Sequence, residues 1–157
     1  ALYNRLRDPL IGGARSALIK DVSTPAKTDF YVQLLYWRSN NDNPTYLFRL
    51  AEQYLIRSEA RSKKETPDLV GALADLNAVR KRSSIASFES TSREEILLAI
   101  EEERRVEFAF EPHRWFDLVR TGRAGTVLGV NDTQKWIFPI PYNDLAADPA
   151  LVQNPGY

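Results

Sequence analysis

Apolar residues recur at helical spacing in several stretches of the chain. Leu47, Leu50, Ala51, Tyr54 and Leu55 follow steps of three and four, which predicts a helix over about 45–63. Asn43-Pro44 just before it offers an N-cap with proline at the first helical position. Leu69, Leu73 and Leu76 form one stripe of a second helix, opened by Thr66-Pro67 and running to about residue 82. A short turn between the two makes an αα-hairpin. Ser92 followed three residues on by Glu95 reads as a capping box, and its helix should run to Glu111, where Pro112 disfavours α geometry. A shorter helix over about 113–121 should stop at Gly122, which suits the left-handed position past a helix end.

Outside these stretches the periodicity fades. Residues 1–44 read as an extended or irregular lead-in, with the β-forming run Asp29–Trp37 as one strand or an extended stretch and 39–43 as a polar loop. Residues 123–157 read as an irregular tail, in which Trp136–Pro141 should be extended because its two prolines fit neither a helix nor a central strand. The expected architecture is mostly α: a single domain over 1–157, helical from 45 to 122, with hairpins like those of a tetratricopeptide stack but no strict repeat.

One stripe breaks the rule that helices bury apolar side chains. Ile96, Ile100, Glu103, Glu107 and Phe110 share a helix face, so two carboxylates sit among residues that call for burial. Arg104, Arg105, Arg114 and Arg120 lie close enough in sequence to compensate them. Glu52 and Glu59 flank Leu55 in the first helix, and Asn77 and Arg80 continue the leucine stripe of the second. A glycosidase-like carboxylate pair is one reading. Yet the glutamates are one turn apart on a single helix, and the arginines favour the ionised form, the opposite of what a general acid needs. The pattern points instead to a structural charge network of Glu52, Glu59, Arg80, Glu103, Arg104, Glu107, Arg114, Asp117 and Arg120 that fixes how helices register.

Composition narrows the functional classes. Lys+Arg and Asp+Glu are both 21, so there is no basic excess of the kind a nucleic-acid binder shows. There is no Cys and one His, His113, which leaves no nitrogen–sulfur metal site, and no acidic loop of the calcium-binding type is present. His113 is expected to be a hydrogen-bonding residue at a helix start. No Gly-rich phosphate loop or nucleophile elbow occurs, so neither a cofactor nor a catalytic constellation is expected. The chain lacks Met and begins Ala-Leu-Tyr, which is expected of a processed or truncated piece of something longer.

Four blocks in order carry a family resemblance. They are Arg49-Leu-Ala-Glu52 running on to Ser58-Glu-Ala60; Leu76-Asn-Ala-Val-Arg80; Glu103-Arg-Arg-Val-Glu107 through Phe110-Glu111 to Arg114-Trp-Phe-Asp117-Leu-Val-Arg120; and Phe138-Pro-Ile-Pro141 with Asn154-Pro-Gly-Tyr157. Together they resemble the C-terminal portion of SusD/RagB outer-membrane nutrient-binding lipoproteins, over about residues 45–157. The resemblance implies a helical, non-catalytic protein, lipid-anchored at the bacterial outer membrane. It implies capture of glycans, or sometimes peptides, for a TonB-dependent transporter of the SusC type. It also implies that this stretch is mainly scaffold, since the family's most recognisable residues here are structural.

Glycan sites need flat aromatic faces and a few orienting polar groups. Tyr31, Tyr36 and Trp37, with Asn40, Asn41 and Asp42, are the candidates outside the four blocks. Tyr31 and Trp37 would project to one side of a strand, being an even number of residues apart. Trp115, Phe116 and Trp136 are expected to be core. The alternative function is a helical module that docks the transporter and binds no small molecule.

Overall fold

The computed structural model describes residues 2–34 and 46–157. Its elements are mostly helical, and they fall into two compact units, Ala1–Phe110 and Glu111–Tyr157.

The first unit is built on a helical hairpin and a third helix against it. Helix α2 (Leu50–Lys63) and helix α3 (Leu69–Arg82) pack antiparallel, and α4 (Arg93–Glu107) packs on both; helix α1 (Leu2–Arg7) precedes them in the chain. Leu55, Ala72, Leu76 and Ile96 are fully buried at their centre, joined by Ala51, Val79, Ile100 and Phe108. The hairpin closes tightly because small residues face each other: Ser58 is fully buried and donates its hydroxyl to the Ala72 carbonyl at 2.7 Å. A hydroxyl that would otherwise be stranded thus acquires an acceptor.

The helix starts differ from those expected. Helix α2 begins later, with Arg49 as an N-cap that makes no side-chain cap bond, and Leu47 and Leu50 are exposed. The proposed cap at Asn43-Pro44 lies outside the described residues. Helix α3 is capped by Asp68, not Thr66, because the Asp68 carboxylate accepts from the Gly71 amide at 2.9 Å. Ser92 caps α4 by accepting from the Glu95 amide at 3.3 Å, but the reciprocal half of the capping box runs through a relay. Ser90 accepts from the Ser92 amide and donates to the Glu95 carboxylate. Helix α4 ends at Glu107 and not Glu111: the Glu107 carbonyl accepts from Arg49 Nη2 at 2.7 Å, and Phe110 turns to a φ of 69°. That turn takes Phe110 off the buried stripe, and it is exposed.

The lead-in is more ordered than its sequence predicts. Helix α1 is followed by a 3₁₀ turn (Gly13–Leu18) and an antiparallel hairpin of β1 (Ile19–Asp21) and β2 (Phe30–Val32). Ile19 pairs with Val32, Lys20 with Tyr31 and Asp21 with Phe30, while Thr24 and Lys27 bridge across Pro25-Ala26. Such short elements leave no periodicity to read. One buried side chain anchors the start: Leu6 is packed against Val106 and Ala109 near the end of α4.

In the second unit, helix α5 (Arg114–Arg120) ends as expected, with Gly122 at a φ of 72°. The amides of Gly122 and Arg123 bond back to the Val119 and Leu118 carbonyls, the two bonds of a Schellman motif. Helices α6 (Ala124–Leu128) and α7 (Tyr142–Ala147) flank a 3₁₀ turn at Thr133–Trp136 and the extended Ile137–Pro141. Two prolines deprive that segment of backbone donors, and side chains near the C-terminal end serve it instead. Gln153 both accepts from the Ile140 amide and donates to its carbonyl, Asn154 donates to Phe138 and Tyr157 to Ile137. Phe116 is exposed, not core; Trp115 and Trp136 are half-buried, the Trp136 indole donating to the Val130 carbonyl. His113 holds the N-cap position of α5 without a side-chain cap bond.

Candidate functional site

The charged stripe of α4 is buried. Glu103 and Glu107 are 3% and 4% exposed, and arginines from three other segments converge on them. Arg15, from the 3₁₀ turn, donates Nε to Glu107 at 2.8 Å and Nη2 to Glu103. Arg80, in the last turn of α3, reaches Glu103 at 3.1 Å, and Arg82 donates to Glu107. Arg49 lies 3.1 Å from the other Glu107 oxygen while capping its carbonyl. Arg104 faces the Glu52 carboxylate at 3.7 Å and lies over the Phe108 ring, with Arg49 over the same ring. Carboxylates held this way are poor reagents and good fasteners: opposite charges in a low-dielectric interior lock geometry more than they add stability.

The remaining expected members divide. Glu59 on α2 keeps a largely buried side chain, paired with the half-exposed Lys63 at 2.7 Å. Asp117 and Arg120 pair with each other within α5 of the second unit, at 2.9 Å, and Arg114 opens that helix. A further buried carboxylate, Asp75, was not expected. It is 3% exposed and takes a two-pronged bond from Arg57 at 2.7 and 2.8 Å plus one from Arg61 at 2.7 Å, clamping α2 to α3. The Asp75 carboxylate in turn raises the Arg57 pKa. Asn77 ties the loop ahead of α4, exchanging both amide hydrogen bonds with the Phe88 backbone.

Of the aromatic candidates only Tyr31 lies in the described residues; Tyr36, Trp37, Asn40, Asn41 and Asp42 lie outside them. Tyr31 is half exposed on β2, with the Lys20 ammonium 5.7 Å from its ring centre. Phe30, on the other face of the strand, stacks on Tyr3 with centroids 4.2 Å apart. Tyr3 also donates its hydroxyl to Asp21 at 2.7 Å, beside Arg7 at the same distance. The Ser23 side chain and amide, then Tyr3 and Arg7, hold the Asp21 carboxyl well below the usual carboxylate range. The hairpin is thus an exposed aromatic surface fixed by a polar cluster at its base.

Arg15, Arg49 and Arg82 were the members the sequence pattern hid. Arg15 lies in a stretch without periodicity, but its neighbours are small: Gly12, Gly13, Ala14, Ser16 and Ala17. A Cβ on Gly12 would stand 2.0 Å from the Leu6 carbonyl oxygen, and one on Gly13 2.1 Å from that of Ser83. A Gly-Gly pair beside a lone arginine signals close backbone approach around a buried charge.

Residues 27–134 match the SusD_RagB family model, described as the SusD family. The chain belongs to the SusD family. SusD-like protein P38 of Formosa agariphila is 32% identical over 131 residues, covering 76% of this chain and 26% of the relative. The starch-binding protein SusD of Bacteroides thetaiotaomicron is 32% identical over 128 residues, covering 74% and 22%. Among solved structures of SusD proteins, a SusD homolog from Bacteroides thetaiotaomicron superposes with a TM-score of 0.72 at 25% identity, covering 91% of this chain and 35% of that one. A SusD-like protein from Bacteroides fragilis gives 0.65 at 26% identity, covering 85% and 32%. The chain therefore spans about a quarter of the length of these curated SusD relatives.

Proposed function

We propose that this chain is a scaffold-bearing part of a non-catalytic carbohydrate-capture protein, lipid-anchored at the bacterial outer membrane, that hands saccharide to a TonB-dependent transporter of the SusC type. The observation that carries the reading is the shared identity with a starch-binding SusD over most of the chain. The charge network supports the non-catalytic half: Glu103 and Glu107 are buried and each is engaged by guanidiniums from other segments, the arrangement of structural ion pairs. The exposed Tyr31 hairpin, leading into Tyr36 and Trp37, is the surface of this chain best suited to stack on a sugar ring.

The test is calorimetric titration of an oligosaccharide panel, including malto-oligosaccharides, against the chain and against a protein of the relatives' full length that carries it. Products are analysed by chromatography. The expected result is saturable binding by the longer protein, little by the chain alone, and intact sugar recovered. Cleavage of the sugar would overturn the non-catalytic reading. Absence of saccharide binding by both would favour a module that only docks a protein partner.

A further inference from the structure

The apolar stripe at the start of α2 is wider than the helices around it cover. Leu47, Leu50, Ala51, Tyr54 and Leu55 recur at helical spacing, yet only Ala51 and Leu55 reach the buried centre shared with α3 and α4. Leu50 is 73% exposed, and Leu47 and Phe48 just before it are 78% and 83% exposed. Leu50, Gln53, Tyr54, Ile56 and Arg57 line a surface groove of about 340 Å³ along the same helix, and Ile56 is half exposed. Large apolar side chains exposed so close together form a patch, unlike the scattered exposure of an ordinary surface. A helical hairpin has two faces. The α2–α3 hairpin buries one against α4, and hairpins of this kind bury the other against a neighbour in the stack. The solved relatives contain chain that could supply that neighbour: 85% and 91% of this chain superpose on only 32% and 35% of theirs.

We propose that this face of α2 is a docking surface for an amphipathic helix from the part of a full-length SusD protein that lies outside these 157 residues. Leu50 and Tyr54, four residues apart, make a ridge of the kind that seats in the groove of a facing helix. Gln53 and Arg57 keep the groove partly polar, so its occupant is apolar along one stripe and not all round. The inference rests on family membership and not on saccharide capture.

The experiment uses the absence of cysteine from this sequence. Leu50→Cys places one thiol on the docking face, and Lys64→Cys places one at the exposed end of α2. Each is made in the 157-residue chain and in a full-length protein that carries it, whose other cysteines are replaced by serine. The rate of alkylation by iodoacetamide is then measured. In the chain alone both thiols should react alike. In the full-length protein Leu50→Cys should react at least about tenfold more slowly than Lys64→Cys, because its face opens only by local unfolding. Photo-leucine, a diazirine isostere of leucine, then identifies the occupant in the unsubstituted full-length protein. The cross-link from Leu50, mapped by mass spectrometry, should fall on a helix outside these residues. Equal alkylation rates in the full-length protein overturn the proposal. So does a cross-link from Leu50 to another position within these residues, whether in the same chain or in a second copy. Saccharide titration of the same full-length protein reads capture separately, so a failure there leaves this result standing.

Discussion

Asp21 shows how much a single exposed residue depends on its immediate neighbours. Ser23, Tyr3 and Arg7 all stabilise its charged form in the folded hairpin, so its folded pKa lies below the unfolded value of about 3.9. Its contribution is fully present above that unfolded value and is lost as the pH falls through the folded one. The carboxyl carbon of Asp21, followed by NMR against pH, should titrate well below an ordinary aspartate and move back toward it in Ser23→Ala. An ordinary midpoint in the unsubstituted protein would contradict the hydrogen-bonded geometry. The contrast with Glu59 is instructive. Both carboxylates have partners, but Glu59 pairs with a half-exposed Lys63 one turn along its own helix. Glu107 is buried among three arginines.

At the scale of elements, glycines separate two kinds of constraint. In Gly12→Ala the new Cβ would stand 2.0 Å from the Leu6 carbonyl oxygen, so α1 and the 3₁₀ turn would have to part. In Gly122→Ala the Cβ meets nothing within 4 Å, and only the left-handed φ of 72° resists it. Chemical denaturation should show Gly12→Ala losing about 1–3 kcal/mol from overpacking. Gly122→Ala should lose about 1–2 kcal/mol from backbone strain. Equal melting of Gly12→Ala and the unsubstituted chain would mean that α1 is not seated as described. The same elements mark what the sequence could tell. Helices α2, α3 and α4 were legible because each spans several turns of apolar repeat, and Gly122 because a C-terminal glycine has one common role. Helix α1 and strand β1 were not, since three to six residues carry no period, whereas β2 falls inside the β-forming run Asp29–Trp37. Asp68 displaced Thr66 as a cap because both types cap well and only the chain's path chooses between them. The glutamates on the α4 stripe were visible from spacing alone, whereas Arg15 was not: its approach to them spans 88 and 92 residues of sequence.

At the scale of the molecule, the network explains how short segments are held to the helical framework. Arg15 from the 3₁₀ turn, Arg49 from the start of α2 and Arg80 and Arg82 from the end of α3 all terminate on one helix, α4. Family membership follows the same residues: Arg49, Arg80, Glu103 and Glu107 fall in three of the four blocks by which the sequence resembles SusD proteins. The central claim is that these carboxylates organise the fold. A double-mutant cycle measures it most directly, with Glu107→Ala, Arg15→Ala and the pair compared by denaturant unfolding. Removing Glu107 leaves Arg15 buried with Glu103 as its remaining carboxylate, and removing Arg15 takes a buried donor from Glu107, so each single change should cost about 3–5 kcal/mol. The double variant should lose well below the sum, a coupling of about 1–3 kcal/mol. Single changes costing under about 0.5 kcal/mol, the range of ordinary surface substitutions, would contradict it.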